Sequence, residues 1–131
     1  MNAAKRRSET IIVVDDDIIN LVVAKNNIAK KYHLFTAPSG QKLFKLLEKV
    51  LPDLILLDVE MPEMNGYEVL KKLKGEERTA GIPVIFLTAK MDSESEAKGR
   101  KMGAADYITK PFSGEQLLNR IEIQLEKTGQ K

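Results

Sequence analysis

The sequence predicts an open, parallel α/β sheet of five strands with helices on both faces, and three observations carry that prediction. Apolar runs and amphipathic stretches alternate along the chain, strand then helix, five times over, which is the pattern of a doubly wound sheet. Three of the runs, 11–14, 54–57 and 83–87, are continuously apolar, as strands buried on both faces must be. The other two, 33–37 and 106–109, are mixed in character, which suits the edges. A strand order of 2-1-3-4-5 satisfies these constraints and creates a switch point between strands one and three, where ligands bind beyond the carboxyl ends.

Each element has its own signals. The first strand, Ile11 to Val14, stops at Asp15-Asp16-Asp17. A helix follows in which Ile18, Leu21, Val22, Ile28, Ala29 and Tyr32 recur at helical spacing and are expected to face inward. The acids before it also suit the positive end of a helix dipole. One Asp would suffice for a cap. His33 is the only histidine, and the expectation for it is an edge or surface residue. Ser39 can cap the second helix, whose Leu43, Phe44, Leu46, Leu47 and Val50 face inward before Pro52. The third strand ends abruptly at Asp58, ahead of a loop rich in Pro and Gly. Residues 66–75 read as a helix with Val69, Leu70 and Leu73 inward and Gly75 as its stop. After the fourth strand and Thr88-Ala89, a helix over about 92–102 is the odd one. Its apolar residues are few (Ala97, Met102) and it holds Gly99 inside, so little apolar area anchors it. The fifth strand ends at Lys110-Pro111, and Ser113 can cap a last helix with Leu117, Leu118, Ile121 and Leu125 inward. The methionines at 61, 64, 91 and 102 read as packing residues.

At 131 residues, the chain fits one domain, with residues 1–9 expected to be a disordered N-terminal segment, 10–127 the domain, and 128–131 a polar tail. A composition 43% hydrophobic and 31% charged is that of an ordinary globular protein. Lysines and arginines are scattered and nearly balanced by acids, to a net charge of +2, so nothing advertises nucleic-acid binding. With no cysteine, disulfides and thiolate metal sites are excluded, which is compatible with a cytoplasmic location. The apolar run after Lys5, Arg6 and Arg7 is too short for a signal peptide, and no stretch approaches a membrane span.

The chemistry collects at one sheet edge. Strand one delivers Asp15 and Asp16, strand three Asp58, and strands four and five Thr88 and Lys110. Two carboxylates about 4 Å apart repel by roughly 4 kcal/mol at an effective dielectric near 20, so a cation is required there. Oxygen ligands without His or Cys select a hard ion, and Mg²⁺ is favoured because it binds through one or two carboxylates, waters and a phosphoryl oxygen. Lys110 supplies a second, fixed positive charge, and the Thr88 hydroxyl can donate to an anionic oxygen. The constellation is arranged to receive a phosphoryl group.

From about residue 10 to 127 the sequence resembles the receiver domain of two-component response regulators, the chemotaxis-regulator type included. The resemblance rests on four motifs. They are Val13-Val14-Asp15-Asp16-Asp17; Leu57-Asp58-Val59-Glu60-Met61-Pro62 with Asn65-Gly66; Phe86-Leu87-Thr88-Ala89; and Gly103 through Phe112. It implies a flavodoxin-like fold and a phosphorylation-dependent signalling switch with Asp58 as phosphoacceptor. Asp16, Asp58 and the Glu60 backbone carbonyl are implied Mg²⁺ ligands, with Asp15 acting largely through water. Lys110 is implied to pair with the phosphoryl oxygens, Thr88 to close onto them, Tyr107 to turn inward as Thr88 moves, Thr88, Ala89 and Tyr107 together to form the switch, and the Lys110-Pro111 bond to be cis. Glu60 and Lys90, two residues beyond the acceptor and the switch threonine, would tune the hydrolysis rate. The implied donor is a sensor histidine kinase or a histidine phosphotransfer domain. The implied output is an effector domain or output protein at the face of the fourth helix, fifth strand and fifth helix, with a phosphorylation-dependent homodimer as a further partner. In this scheme the chain promotes only its own phosphorylation and dephosphorylation and is not otherwise an enzyme.

A haloacid-dehalogenase-type phosphohydrolase also uses a nucleophilic Asp after a buried strand, but it needs a second Asp where this chain has Glu60. A flavodoxin-like nucleotide binder needs a phosphate loop rich in Gly, Ser or Thr after strand one; Asp15 to Asp17 would repel that phosphate. A receiver retained purely for interaction would not keep the set Asp15, Asp16, Asp58, Thr88 and Lys110.

Overall fold

In the computed structural model, residues 8–89 and 93–128 are described. Five strands, β1 (Thr10–Val14), β2 (His33–Ala37), β3 (Leu54–Asp58), β4 (Val84–Thr88) and β5 (Asp106–Thr109), form one sheet in the order β2-β1-β3-β4-β5. Every pairing is parallel. The helices are α1 (Ile18–Ile28), α2 (Gly40–Leu47), α3 (Gly66–Lys74), α4 (Glu77–Ala80), α5 (Ser93–Met102) and α6 (Gly114–Lys127). The fold class expected from the alternation of elements is the one found. The fourth and fifth expected helices are α5 and α6. The single-turn α4 was not foreseen, because Glu77, Arg78, Thr79 and Ala80 show no apolar periodicity; it is held by the Thr79 hydroxyl, which donates to the Leu73 carbonyl at 2.6 Å.

Strand residues alternate between two cores, as the twofold pleat requires. Ile12, Val14, Ile55, Leu57, Val84, Phe86 and Tyr107 meet Leu43, Leu47, Val69, Leu70 and Leu73 of α2 and α3 on one face. Ile11, Val13, Leu54, Leu56, Ile85, Leu87 and Ile108 meet Ala24, Ile28, Leu117, Ile121 and Leu125 of α1 and α6 on the other. Buried faces of both kinds explain why β1, β3 and β4 read as continuous apolar runs. Both edge strands are the mixed ones, and His33 is exposed on β2, as expected.

Caps fall where oxygen-bearing side chains precede helices. Asp17 accepts from the Ile19 amide, Ser39 from the Lys42 amide, and Asn65 with Glu68 and Ser113 with Gln116 form reciprocal capping boxes.

Two expectations are corrected. Ile18 and Val22, assigned to the inward stripe of α1, are exposed, as is Ile19, because α1 packs through Ala24 and Ile28 nearer its C-terminal end. Glu9, assigned to the disordered N-terminal segment, is buried, and its carbonyl accepts from the His33 amide at 3.0 Å, extending the β1–β2 edge by one residue. Residues 1–7 and 129–131 of the expected terminal segments lie outside the described residues, as do Lys90, Met91 and Asp92. Among the described residues, no helix is long and apolar enough to cross a membrane.

Candidate functional site at the carboxyl edge of the sheet

Parallel register places the site. Val14 lies opposite Leu57, so Asp15, one residue past β1, comes level with Asp58, the last residue of β3. Asp58 in turn lies opposite Leu87, so Thr88 ends β4 one step further along, opposite Thr109 of β5. Lys110 follows Thr109, and its amide donates to the Thr88 carbonyl at 2.8 Å. The Lys110-Pro111 peptide bond is cis.

The loop after β3 is drawn tightly against the strand end by Gly66, whose amide donates to the Val59 carbonyl at 2.8 Å. A Cβ on Gly66 would lie 2.5 Å from the Asp58 carbonyl oxygen and 2.8 Å from Val59 Cα. Only glycine permits that approach.

Asp15 and Asp58 are both buried, at 0% and 1% exposure. Lys110 Nζ reaches Asp58 Oδ1 at 2.9 Å and Asp15 Oδ2 at 3.2 Å. Asp15 Oδ1 accepts from the Asp17 amide at 2.9 Å, and Oδ2 from Asn20 Nδ2 at 3.1 Å. Asp58 Oδ1 also accepts from the Glu60 amide at 3.3 Å, whereas Oδ2 is buried with no hydrogen-bond partner. Asp16 is exposed, yet one carboxylate oxygen each from Asp15, Asp16 and Asp58 lie within 4.8 Å of one another.

Burial pushes Asp58 up from 3.8 to about 7, against the pull of Lys110 and with the charge of Asp15 adding to the rise. Burial alone would lower Lys110, but its hydrogen bond to Asp58 and the charges of Asp15 and Asp58 outweigh that and raise it. One lysine thus offsets two buried carboxylates incompletely. An unpartnered buried oxygen within a hard, oxygen-only donor set fits a small divalent cation.

Beside this cluster Val59, Glu60, Asn65, Tyr67, Thr88 and Ser95 line a cavity of about 220 Å³. Thr88 is buried and Ala89 and Glu60 are exposed. Lys90 lies outside the described residues. Tyr107 points inward, 2% exposed, and its hydroxyl donates to the Ser95 carbonyl at 3.0 Å.

Three features escaped the sequence reading. Asn20 was one polar residue on a helix, and only its spacing of five from Asp15 hinted at a contact. Ser95 acts through its backbone, which no residue type advertises. Ile18 and Val22 looked like core but, with Ile19, form an exposed apolar patch directly after Asp15 to Asp17.

Fold and site together define a doubly wound α/β domain built around an acidic cluster and a fixed lysine at its switch point. The chain matches the response regulator receiver domain family over residues 11–122 and belongs to that family. It is 40% identical over 122 residues to a probable cyclic di-GMP phosphodiesterase of Vibrio cholerae, covering 93% of this chain and 28% of that protein. It is 38% identical to the phosphate regulon transcriptional regulatory protein PhoB of Pseudomonas aeruginosa, covering 92% of this chain and 53% of that one. Among solved structures, the response regulator DrrB of Thermotoga maritima superposes with a TM-score of 0.84 at 33% identity, covering 93% of this chain and 54% of that one. The chemotaxis protein CheY4 of Vibrio cholerae gives 0.84 at 27%, covering 88% and 98%. The chain therefore spans about a quarter to a half of these two sequence relatives' own length. It is a receiver domain of phosphorylation-dependent two-component signalling. Such domains bind Mg²⁺ at an acidic cluster and interact with histidine kinases or phosphotransfer partners; among the described residues, Asp15, Asp16 and Asp58 form a group that could hold such an ion.

Proposed function

We propose that Asp58 is the phosphoacceptor and that a phosphohistidine donor transfers its phosphoryl group to it. The observation that carries this reading is the buried, unpartnered Asp58 Oδ2 beside a lysine that holds Oδ1 at 2.9 Å. In the transfer the N–P bond of the donor breaks, a bond forms from phosphorus to an Asp58 carboxylate oxygen, and the released imidazole takes a proton from solvent. Catalysis is mostly positioning and charge neutralisation. Lys110, bonded to Asp58 Oδ1, would pair with a phosphoryl oxygen, and Thr88, which lines the adjoining cavity, would turn its hydroxyl to another. Mg²⁺ held by Asp16, Asp58 and the Glu60 carbonyl, with Asp15 acting through water, would neutralise charge on the incoming phosphoryl group. The product adds about one negative charge and new acceptor oxygens, which Thr88 and Lys110 capture and which the switch residues Ala89 and Tyr107 register. That biases the face made by α5, β5 and α6, where an effector domain, an output protein or a second copy of the chain would read it.

The exposed Ile18, Ile19 and Val22, adjacent to the acidic cluster, support α1 as the surface on which the kinase or phosphotransfer partner docks. The chain acts in the cytoplasm in this scheme and catalyses nothing beyond its own phosphorylation and dephosphorylation. Acetyl phosphate with Mg²⁺ tests the roles of the individual residues. Lys110→Ala is expected to lose labelling, while Thr88→Ala accepts phosphate yet leaves the amide resonances of α5 and Tyr107 unmoved. Unimpaired labelling of Lys110→Ala, or a parent-like response in Thr88→Ala, would contradict those roles.

A further inference from the structure

α5 has the thinnest apolar anchorage of the longer helices, and its one buried residue is Gly99. Beneath it runs a row of three rings. Tyr67 of α3 meets Phe86 of β4 edge-on, with centroids 5.3 Å apart, and Phe86 meets Tyr107 of β5 at 5.5 Å. The Lys98 ammonium stands 4.5 Å from the Tyr67 centroid and the Arg100 guanidinium 5.7 Å from that of Tyr107. With the Tyr107 hydroxyl bonded to the Ser95 carbonyl, α5 is held on the row by two cation–π contacts and a hydrogen bond rather than by an apolar stripe.

Gly99 is what lets helix and ring coexist. A Cβ built there would overlap the Tyr107 hydroxyl oxygen and lie 2.7 Å from its Cζ and 3.1 Å from Phe86 Cε2. Phe86 is fully buried and has no room to withdraw, so the neighbour that must give way is the Tyr107 ring, at the loss of its hydrogen bond to Ser95. A glycine inside a helix is locally unfavourable relative to Ala. That local cost is offset here by room for the ring.

We propose that Gly99 is a positioning residue for Tyr107: its missing side chain is the seat of the tyrosine hydroxyl, and any side chain there exchanges the buried Tyr107 for one standing out on the α5–β5–α6 face. Ser95, whose carbonyl holds the hydroxyl, lines the same cavity as Thr88 and Glu60. The seat therefore joins the output face to the wall of the phosphoryl site. That functional consequence rests on the reading of Asp58 as phosphoacceptor; the seat itself does not.

Nitration by tetranitromethane, mapped by peptide mass spectrometry without metal or phosphodonor, reads the seat directly. Tyr107 should be modified about tenfold more slowly in the parent than in Gly99→Ala, as protection by burial requires. Equal protection of Tyr107 in the two proteins would overturn the proposal. A stability cycle supplies a readout that a purely helical role would not move. Gly99→Ala should lower the folding equilibrium in the parent but raise it about fivefold in a Tyr107→Ala background, where the usual advantage of Ala over Gly in a helix is released. The same sign in both backgrounds would also overturn the seat. Labelling of Asp58 by acetyl phosphate should proceed at the parental rate in Gly99→Ala, and a lost rate would count against a role confined to Tyr107. Absence of labelling in the parent itself would overturn the phosphoacceptor reading alone, leaving the seat to be decided by nitration and the cycle.

Discussion

Removing the buried charge at Asp58 should stabilise the metal-free protein, and the gain should depend on pH in a defined direction. The folded chain holds the Asp58 proton up to about pH 7, whereas the unfolded chain loses it near 3.8. Below pH 3.8 both states carry the proton, so the favourable contribution is fully present; between 3.8 and about 7 only the folded state does, and stability falls as pH rises. At about 1.36 kcal/mol for each pH unit, the loss amounts to at most ~4 kcal/mol, with the pull of Lys110 already contained in the value of about 7. Asp58→Asn keeps the shape and cannot ionise. Urea denaturation of both proteins in EDTA, from pH 4.5 to 8, should give curves that nearly meet at the acid end and separate by a few kcal/mol above pH 7, with Asn the more stable. Saturating Mg²⁺ should narrow that gap by binding only the folded parent. Parallel pH profiles, or a gap that widens toward acid, would refute the reasoning that burial dominates the Asp58 carboxylate.

Other consequences follow from single residues. Glu63 has a positive φ of 69°, so Glu63→Gly should raise stability by about 0.5–1 kcal/mol in urea denaturation, since a left-handed conformation is costly for a side chain with a Cβ. Asn20→Ala removes a donor to Asp15 Oδ2 and should weaken Mg²⁺ binding by about tenfold, measured by calorimetry, as loss of a partner to a metal-site carboxylate commonly does. Replacing Ile18 and Ile19 by Ala should slow transfer from a phosphohistidine donor while leaving labelling by acetyl phosphate unchanged. Glu60→Ala and Lys90→Ala should each speed loss of phosphate from Asp58 by a few-fold, with a double mutant short of multiplicative if the two pair across the mouth; equal decay rates in all four proteins would remove that idea.

The fold was legible because its strands announce their positions. Residues 11–14, 54–57 and 84–87 are apolar on both faces and ended up central, while 33–37 and 106–109 carry the mixed pattern of edges. The site was legible because Asp15, Asp58, Thr88 and Lys110 all stand at strand ends, and parallel register brings strand ends together. What stayed hidden depends on contacts that periodicity does not encode. Ile18 and Val22 satisfy a helical repeat, but the repeat does not say which of its positions along α1 meet the core, and those are Leu21, Ala24 and Ile28. α4 is one turn long, too short to display a period. Gly99 read as a weakness in its helix, when its meaning lies in a tyrosine eight residues further on.

The most direct measurement is an intact-protein mass time course of the parent and Asp58→Asn with acetyl phosphate, with and without Mg²⁺. The parent should gain the mass of a single phosphoryl group only with Mg²⁺ present, and peptide mapping should place it between Leu54 and Gly66. Asp58→Asn should gain none. Labelling of Asp58→Asn equal to that of the parent, or a modified residue mapped outside that stretch, would contradict Asp58 as the acceptor around which the rest of the site is arranged.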